Sequence, residues 1–290
     1  MGTIVAVLSG KGGVGKTTVS ASLAGAIAER GAKVLLTDGD LGLRDLDLVV
    51  GKEDEVLYDA VDLWQGNCTE EEAILKLADN LDFLPASQTN VWEDLGRKGY
   101  RRMIKDLADV YDYVVVDAPA GIGRGTQLIA QTAHRMIVVT EPVRTSMRNA
   151  ERLMRILDAE RRFDYAVVIN RILLEEDGET TGLKDAIAYL DAERWGTFLP
   201  WSNEVRIRGD AGTLHELSSH DIFRRMLVPL ADFAETGESR DETELLAAFA
   251  AVKLMLQETE RGEESAEDVR TSPIAVRSKR SVLWRHARRR

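Results

Sequence analysis

Runs of apolar, β-branched residues alternate along the chain with stretches in which apolar side chains recur every three to four positions. The runs predict strands near Thr3–Leu8, Lys33–Thr37, Leu81–Pro85, Tyr113–Asp117, Arg135–Thr140, Tyr165–Asn170 and Gly196–Leu199. Most are continuous rather than alternating, as expected of strands covered on both faces. The helical periods between them predict helices over Thr17–Glu29, Thr69–Ala78, Glu93–Val110, Gly125–Ala133, Ser146–Glu160, Leu183–Leu190 and His215–Phe233. Gly31 closes the first as its C′ residue, and Thr69 with Glu72 forms a capping box for the second. Strand–helix alternation of this kind specifies an α/β fold, a doubly wound and mostly parallel sheet flanked by helices. Such sheets bind ligands outside the carboxyl ends of their strands.

After Phe233 the texture changes. Acids dominate from Asp232 to Asp268, yet Leu245, Phe249, Val252 and Leu256 recur at helical spacing and predict a helix near Asp241–Glu260. Its apolar stripe either caps the main domain or meets a partner helix. The expected organisation is a domain over residues 1–236, an acidic C-terminal helix over 237–261, and a flexible linker with a basic amphipathic tail over 262–290.

Composition removes several classes of function. A single cysteine, Cys68, excludes an internal disulfide framework and any thiolate zinc or iron–sulfur site built by one chain. No apolar run reaches the ~18 residues of a membrane span, and the N-terminus enters a strand without a signal peptide, so a cytoplasmic protein is expected. The formal charge of −11 argues against a general nucleic-acid coat. That charge is unevenly spread: Arg277 to Arg290 holds seven cations and no acid. An acidic body with a basic tip suits a localised electrostatic contact.

The candidate chemistry starts at Ser9-Gly10-Lys11-Gly12-Gly13-Val14-Gly15-Lys16-Thr17-Thr18, between the first strand and the first helix. Strand, glycine loop and helix N-terminus together make a nucleotide-phosphate cradle, in which backbone N–H groups wrap the phosphates. Lys16 is expected to reach the β- and γ-phosphates, and Thr17 to give its hydroxyl to Mg²⁺. Asp38 and Asp40 follow the second strand, where carboxylates hold a metal's water shell or orient an attacking water. Asp117 ends the apolar strand Tyr113–Asp117, the layout of a Walker B acid, and Ala118-Pro119-Ala120-Gly121 follows it. Asn170-Arg171 ends a later strand; its amide can either read an adenine edge or serve as a turn former.

The loop Lys11 to Thr17 reads K-G-G-x-G-K-T, and on this motif the sequence resembles the MinD/ParA family of deviant Walker A ATPases, more on the MinD side than the ParA side. The resemblance covers about Thr3 to Phe233 and includes the run Asp38 to Asp47 and Leu84-Pro85-Ala86-Ser87-Gln88-Thr89. It implies a Mg²⁺-dependent ATPase that forms a homodimer on ATP, with Lys11 crossing to the partner's nucleotide, and that turns over slowly without an activating protein. It assigns Lys11, Lys16 and Asp40 to catalysis, and Thr17, Asp38 and Asp117 to the metal. Gly10 through Thr18, Asn170, Arg171 and Pro200 fall to the nucleotide, with Ala118–Gly121 as a second switch segment. It further implies reversible, peripheral attachment to a membrane, used to position a cellular machine such as a division site. The alternative is a ParA-like partitioning ATPase that binds nucleic acid. Taken as a helix, the tail sets Val276, Leu283, Trp284 and Ala287 on one face among arginines, a strip suited to an anionic membrane surface. An unstructured basic tail and a nucleic-acid contact are the other two readings of the same residues.

Overall fold

The computed structural model describes residues 1–92, 96–174 and 182–254. The chain runs β1 (Thr3–Leu8), α1 (Lys16–Ala28), β2 (Val34–Asp38), the short helices α2 (Leu46–Val50), α3 (Ala60–Gln65) and α4 (Glu70–Ala73), then β3 (Leu75–Ala78) and β4 (Leu81–Leu84). It continues through α5 (Arg97–Leu107), β5 (Tyr113–Asp117), α6 (Arg124–Thr132), β6 (Arg135–Thr140), α7 (Arg144–Ala159) and β7 (Tyr165–Ile172). Last come α8 (Leu183–Leu190), β8 (Trp195–Pro200), α9 (Asn203–Asp210), α10 (Ile222–Met226) and α11 (Val228–Thr236).

The strands form one eight-stranded sheet in the order β3-β4-β2-β5-β1-β6-β7-β8, parallel except where β3 pairs with β4. β1 lies between β5 and β6, so the chain leaves it for one side of the sheet and later returns to the other. This reversal opens a crevice at the carboxyl ends of β1, β2 and β5. The register brings Asp117 of β5 opposite both Val7 of β1 and Asp38 of β2. Residues of β2 and β4 are all buried, including Asp82 in the middle of β4, which accepts from the Tyr111 hydroxyl at 2.9 Å. α1 is buried on every side from Val19 to Ala28, which its Ala, Ser and Gly content permits.

Two predicted helices are corrected. The segment expected to be helical over Thr69–Ala78 stops after one capped turn, and Leu75–Ala78 instead pairs antiparallel with β4 at the sheet edge. Its residues alternate between half-buried and exposed, a period of two that four residues state too briefly to outweigh the preceding capping box. The helix expected over His215–Phe233 is broken into a 3-10 turn at Leu214–Glu216, α10 and α11. Asp221 accepts from the backbone of Phe223 and Arg224 and so starts a new helix, and Pro229 sits in the first turn of the next. α5 is shorter than the expected Glu93–Val110, and α2, α3 and α9 were not predicted.

The chain divides into a compact unit Met1–Leu245 and a second unit Leu246–Arg290. Residues 242–254 are helical, within the acidic helix expected near Asp241–Glu260, with Leu245 and Phe249 buried. The amphipathic tail with Val276, Leu283 and Trp284 lies outside the described residues. Among the described residues no helix is long and apolar enough to cross a membrane.

Where β1 meets β6, His134 and Ile4 exchange two hydrogen bonds: Ile4 N–H donates to Nδ1 at 2.9 Å, and His134 N–H donates to the Ile4 carbonyl at 2.8 Å. The first requires a neutral ring. Burial, with help from Arg135, Arg162 and Lys105, holds the His134 pKa below 6.5. The unfolded chain therefore takes up this proton before the folded one, and the contribution present above pH 6.5 is lost as pH falls toward the folded value. Urea unfolding at about pH 7.5 and about pH 5.5 is expected to show a smaller acid loss in His134→Asn, whose Oδ1 keeps an acceptor near Nδ1, than in the parent.

Candidate functional site

The loop from Ser9 to Gly15 leaves β1 and turns into α1 through two left-handed glycines, Gly13 (φ 83) and Gly15 (φ 86), the second being the N-cap of α1. Gly10 lies against α7, where a Cβ would come 2.2 Å from the Asn149 carbonyl oxygen, and Gly12 faces Ala120. Val14 is buried and Lys11 is exposed. Gly121 N–H donates to the Ser9 carbonyl at 2.8 Å, tying the segment after β5 to the loop.

Three donors converge on Asp117. Lys16 Nζ pairs with Oδ1 at 2.9 Å, with side-chain exposures of 7% and 2%. The Thr17 hydroxyl donates to Oδ2 at 2.8 Å and the Ser20 hydroxyl to Oδ1 at 2.7 Å. Sequence reasoning did not single out Ser20; its signal was a polar residue one turn beyond Lys16 in an Ala-rich helix. Asp38, opposite Asp117, accepts from Asp40 N–H at 2.8 Å and Leu46 N–H at 3.3 Å. Burial, then the charge of Asp117, pushes the Asp38 carboxyl up to about 8 despite these bonds. Asp40 is half-buried, and burial raises its pKa too, with Lys16 opposing and Asp117 and Asp45 adding to the shift.

Asp38, Asp117 and the Thr17 hydroxyl are hard oxygen donors at one crevice, a set that fits Mg²⁺. Among the described residues no three His, Cys, Asp or Glu side chains make a preformed metal cage. That suits an ion held jointly by protein oxygens and phosphates. A divalent cation beside Asp38 would also favour the charged carboxylate that burial disfavours.

Next to the loop a cavity of about 490 Å³ is lined by Thr18, Asn170, Arg171, Pro200, Trp201 and Leu48, among others. Asn170 is buried and donates Nδ2 to the Val14 carbonyl at 2.9 Å. It stands inside β7, so the turn-former reading does not apply. Arg171 takes a left-handed conformation (φ 59), donates Nη1 to the Gly13 carbonyl at 2.6 Å and lies 3.7 Å from Glu141. α2 and α9, both missed in the sequence, supply the other wall through Leu48 and Val205. A larger groove of about 780 Å³ involves Tyr165 and Arg194 at the amino ends of β7 and β8. Ligands of doubly wound sheets bind at the opposite ends.

An AAA domain model matches residues 2–162. The septum site-determining protein MinD of Bacillus subtilis is 37% identical over 202 residues, covering 68% of this chain and 75% of the relative. The chain belongs to the MinD/ParA family of P-loop ATPases. Against further MinD relatives the aligned stretch reaches 65% of the Synechocystis protein and 61% of that of Escherichia coli K12. In structure the chain is similar to the MinC:MinD cell division complex of Aquifex aeolicus, with a TM-score of 0.71 and 30% identity over 82% of this chain and 98% of the other. It is likewise similar to MinD of Pyrococcus horikoshii complexed with Mg-ADP, with a TM-score of 0.68 and 26% identity over 81% of this chain and 97% of the other. The eight-stranded, mostly parallel sheet is the family's fold.

The two left-handed glycines predict different costs. At Gly13 an added Cβ meets nothing within 4 Å, so Gly13→Ala carries backbone strain alone, about 1 kcal/mol. At Gly15 the Cβ would lie 2.3 Å from Asn170 Nδ2, which is itself tied to Val14. Gly15→Ala is expected to lower unfolding free energy clearly more than Gly13→Ala in the same urea titration.

Proposed function

We propose that this chain is a MinD-like ATPase that positions a cellular machine by dimerising on ATP and cycling on and off a membrane surface. The contrast between its two loop lysines carries the reading. Lys16 is turned inward onto Asp117, whereas Lys11 is exposed and forms no ion pair among the described residues. A cation presented outward from a phosphate cradle is available to the phosphates of a second copy.

In this reading nucleotide binding is an exchange of partners. Lys16 would leave Asp117 for the β- and γ-phosphates, and the Thr17 hydroxyl, now given to Asp117, would be freed to serve as a metal ligand. Thr17, Asp38 and Asp117 would hold Mg²⁺, which when bound would supply positive charge against the phosphate oxygens. Backbone N–H groups of the loop wrap the phosphates, and Asn170, Arg171 and Pro200 flank the base. Asp40 orients the water that attacks the γ-phosphorus in line, and Lys16 with the partner's Lys11 stabilises charge moving onto the leaving diphosphate. Turnover is slow until the dimer completes each site and a protein activator engages it. The MinC:MinD complex of Aquifex aeolicus supports a protein partner, and the Mg-ADP complex of Pyrococcus horikoshii MinD supports the cofactor. The paired tails, through Val276, Leu283, Trp284 and the surrounding arginines, hold the dimer to anionic lipid, because the second contact is intramolecular.

Two measurements test this reading. The full-length protein should pellet with anionic liposomes in ATP but not in ADP, and deletion of Arg277–Arg290 should abolish pelleting. Equal pelleting in both nucleotides would sink the membrane cycle, and salt-sensitive, ATP-dependent retention on duplex DNA without lipid binding would support the nucleic-acid reading. Lys11→Ala should still bind ATP yet stay monomeric in analytical ultracentrifugation, with turnover reduced at least about 100-fold. An Asp40→Ala variant hydrolysing at the parent rate would remove the water-orienting role.

A further inference from the structure

The segment after β4, Ser87 to Trp92, lies along the loop that follows β2. Ser87 accepts from Gly42 N–H at 2.8 Å. The Gln88 amide oxygen, oriented toward Arg44, accepts from its Nε and Nη2 at 3.3 and 3.2 Å. Trp92 reaches deepest: its indole is 6% exposed, and Nε1–H donates to the Gly39 carbonyl at 2.9 Å. That carbonyl and the Asp40 N–H belong to one peptide unit. Asp38 accepts from the N–H end at 2.8 Å, so the planar unit that carries Asp40 is gripped at both edges.

The same indole fills the space over Gly125 in the first turn of α6. A Cβ there would come 2.4 Å from Trp92 Cδ1 and Nε1. α6 is entered from Ala118–Gly121, the candidate second switch, and Thr126 in that turn donates to the Pro119 carbonyl at 3.1 Å. Tyr100 of α5 packs edge-on to Trp92, with centroids 4.7 Å apart and planes at 81°. It fixes the tilt of the indole from the far side. The Tyr100 hydroxyl is buried without a hydrogen-bond partner among the described residues. Its phenol is pushed up by burial and by the charge of Asp38.

The geometry points to Trp92 as a positioning residue for Asp40, one that joins the loop after β2 at Gly39 to the first turn of α6 at Gly125, just beyond the candidate second switch Ala118–Gly121. This rests on the ATPase reading above. A shift of the first turn of α6 presses on the indole, and the indole holds the carbonyl that sets the direction of Asp40. Trp92 does not line the cavity beside Asn170 and Arg171, so its removal is expected to act on turnover and not on ATP affinity.

Three variants test it in the full chain: Trp92→Phe, which keeps an aromatic ring and deletes the donor; Gly125→Ala, which displaces the indole; and Trp195→Phe, a core control in β8. Trp92→Phe is expected to lower kcat about 10-fold with KM for ATP nearly unchanged. Amide hydrogen exchange over residues 39–44 of the nucleotide-free protein should quicken. Gly125→Ala should do the same, and the double variant should be no worse than Trp92→Phe, because the smaller ring leaves room for the methyl. Trp195→Phe should leave kcat and this exchange at parent values whatever it does to melting temperature. A parent kcat in Trp92→Phe overturns the proposal even when exchange rises. So does a drop in kcat that Trp195→Phe reproduces. If the parent itself hydrolyses no ATP, the ATPase reading fails, and exchange over 39–44 alone decides the clamp: parent-like exchange in Trp92→Phe then overturns it.

Discussion

One carboxylate, Asp117, holds the end of β5 to the first turn of α1. Lys16, Thr17 and Ser20 all give it a hydrogen, and all three ride on the same helix. An ion pair this deeply buried survives only when the remaining lone pairs are also satisfied, and the two hydroxyls do that. Everything N-terminal to the pair is then constrained. α1 must begin at Lys16, with Gly15 as its N-cap, and the loop must return through two left-handed residues to reach it. The peptide after β5 closes back on Ser9. Removing one partner of such a pair leaves an uncompensated buried charge, at a cost of roughly 3–5 kcal/mol.

The same arrangement makes ligand affinity a difference rather than a sum. Groups that would serve a nucleotide and its cation already serve each other, so binding swaps one set of charge-assisted bonds for another. Asp38 shows the residual imbalance, since its two backbone bonds do not offset burial beside Asp117. A crevice with two facing carboxylates and one lysine is short of positive charge, and its first demand on any ligand is that a cation come with it.

Much of this was legible in the sequence because it lay in short, continuous signals. The seven apolar runs are strands within a residue or two at either end. The glycine loop and Asp38, Asp40 and Asp117 meet at one crevice, since Asp38 and Asp117 end, and the loop and Asp40 follow, strands that the register aligns. What was illegible depended on contacts distant in sequence or on brief elements. β3 is defined by its pairing with β4 and not by its own four residues. α2 and α9, five and eight residues long, hold themselves against the cavity beside the glycine loop with only a partial apolar face. Trp92 reads as an ordinary core aromatic until Gly39 and Gly125 are found on either side of it. Asn170 offered two readings in the sequence, and its place inside β7 removes the turn former.

The sheet margins carry a last implication. At one margin β3 is only four residues long and runs against its neighbour, and Lys76 spends its charge on Asp82 across the pair. At the other, Arg240 makes an antiparallel bridge to Trp195 of β8. Short, charged or occupied margins do not template a further strand. Self-association by continuous sheet, the open-ended kind that grows into fibres, is thus discouraged at both sides. In the dimer proposed above, a second copy would therefore approach end-on, over the loops, where contact closes a pair instead of starting a polymer.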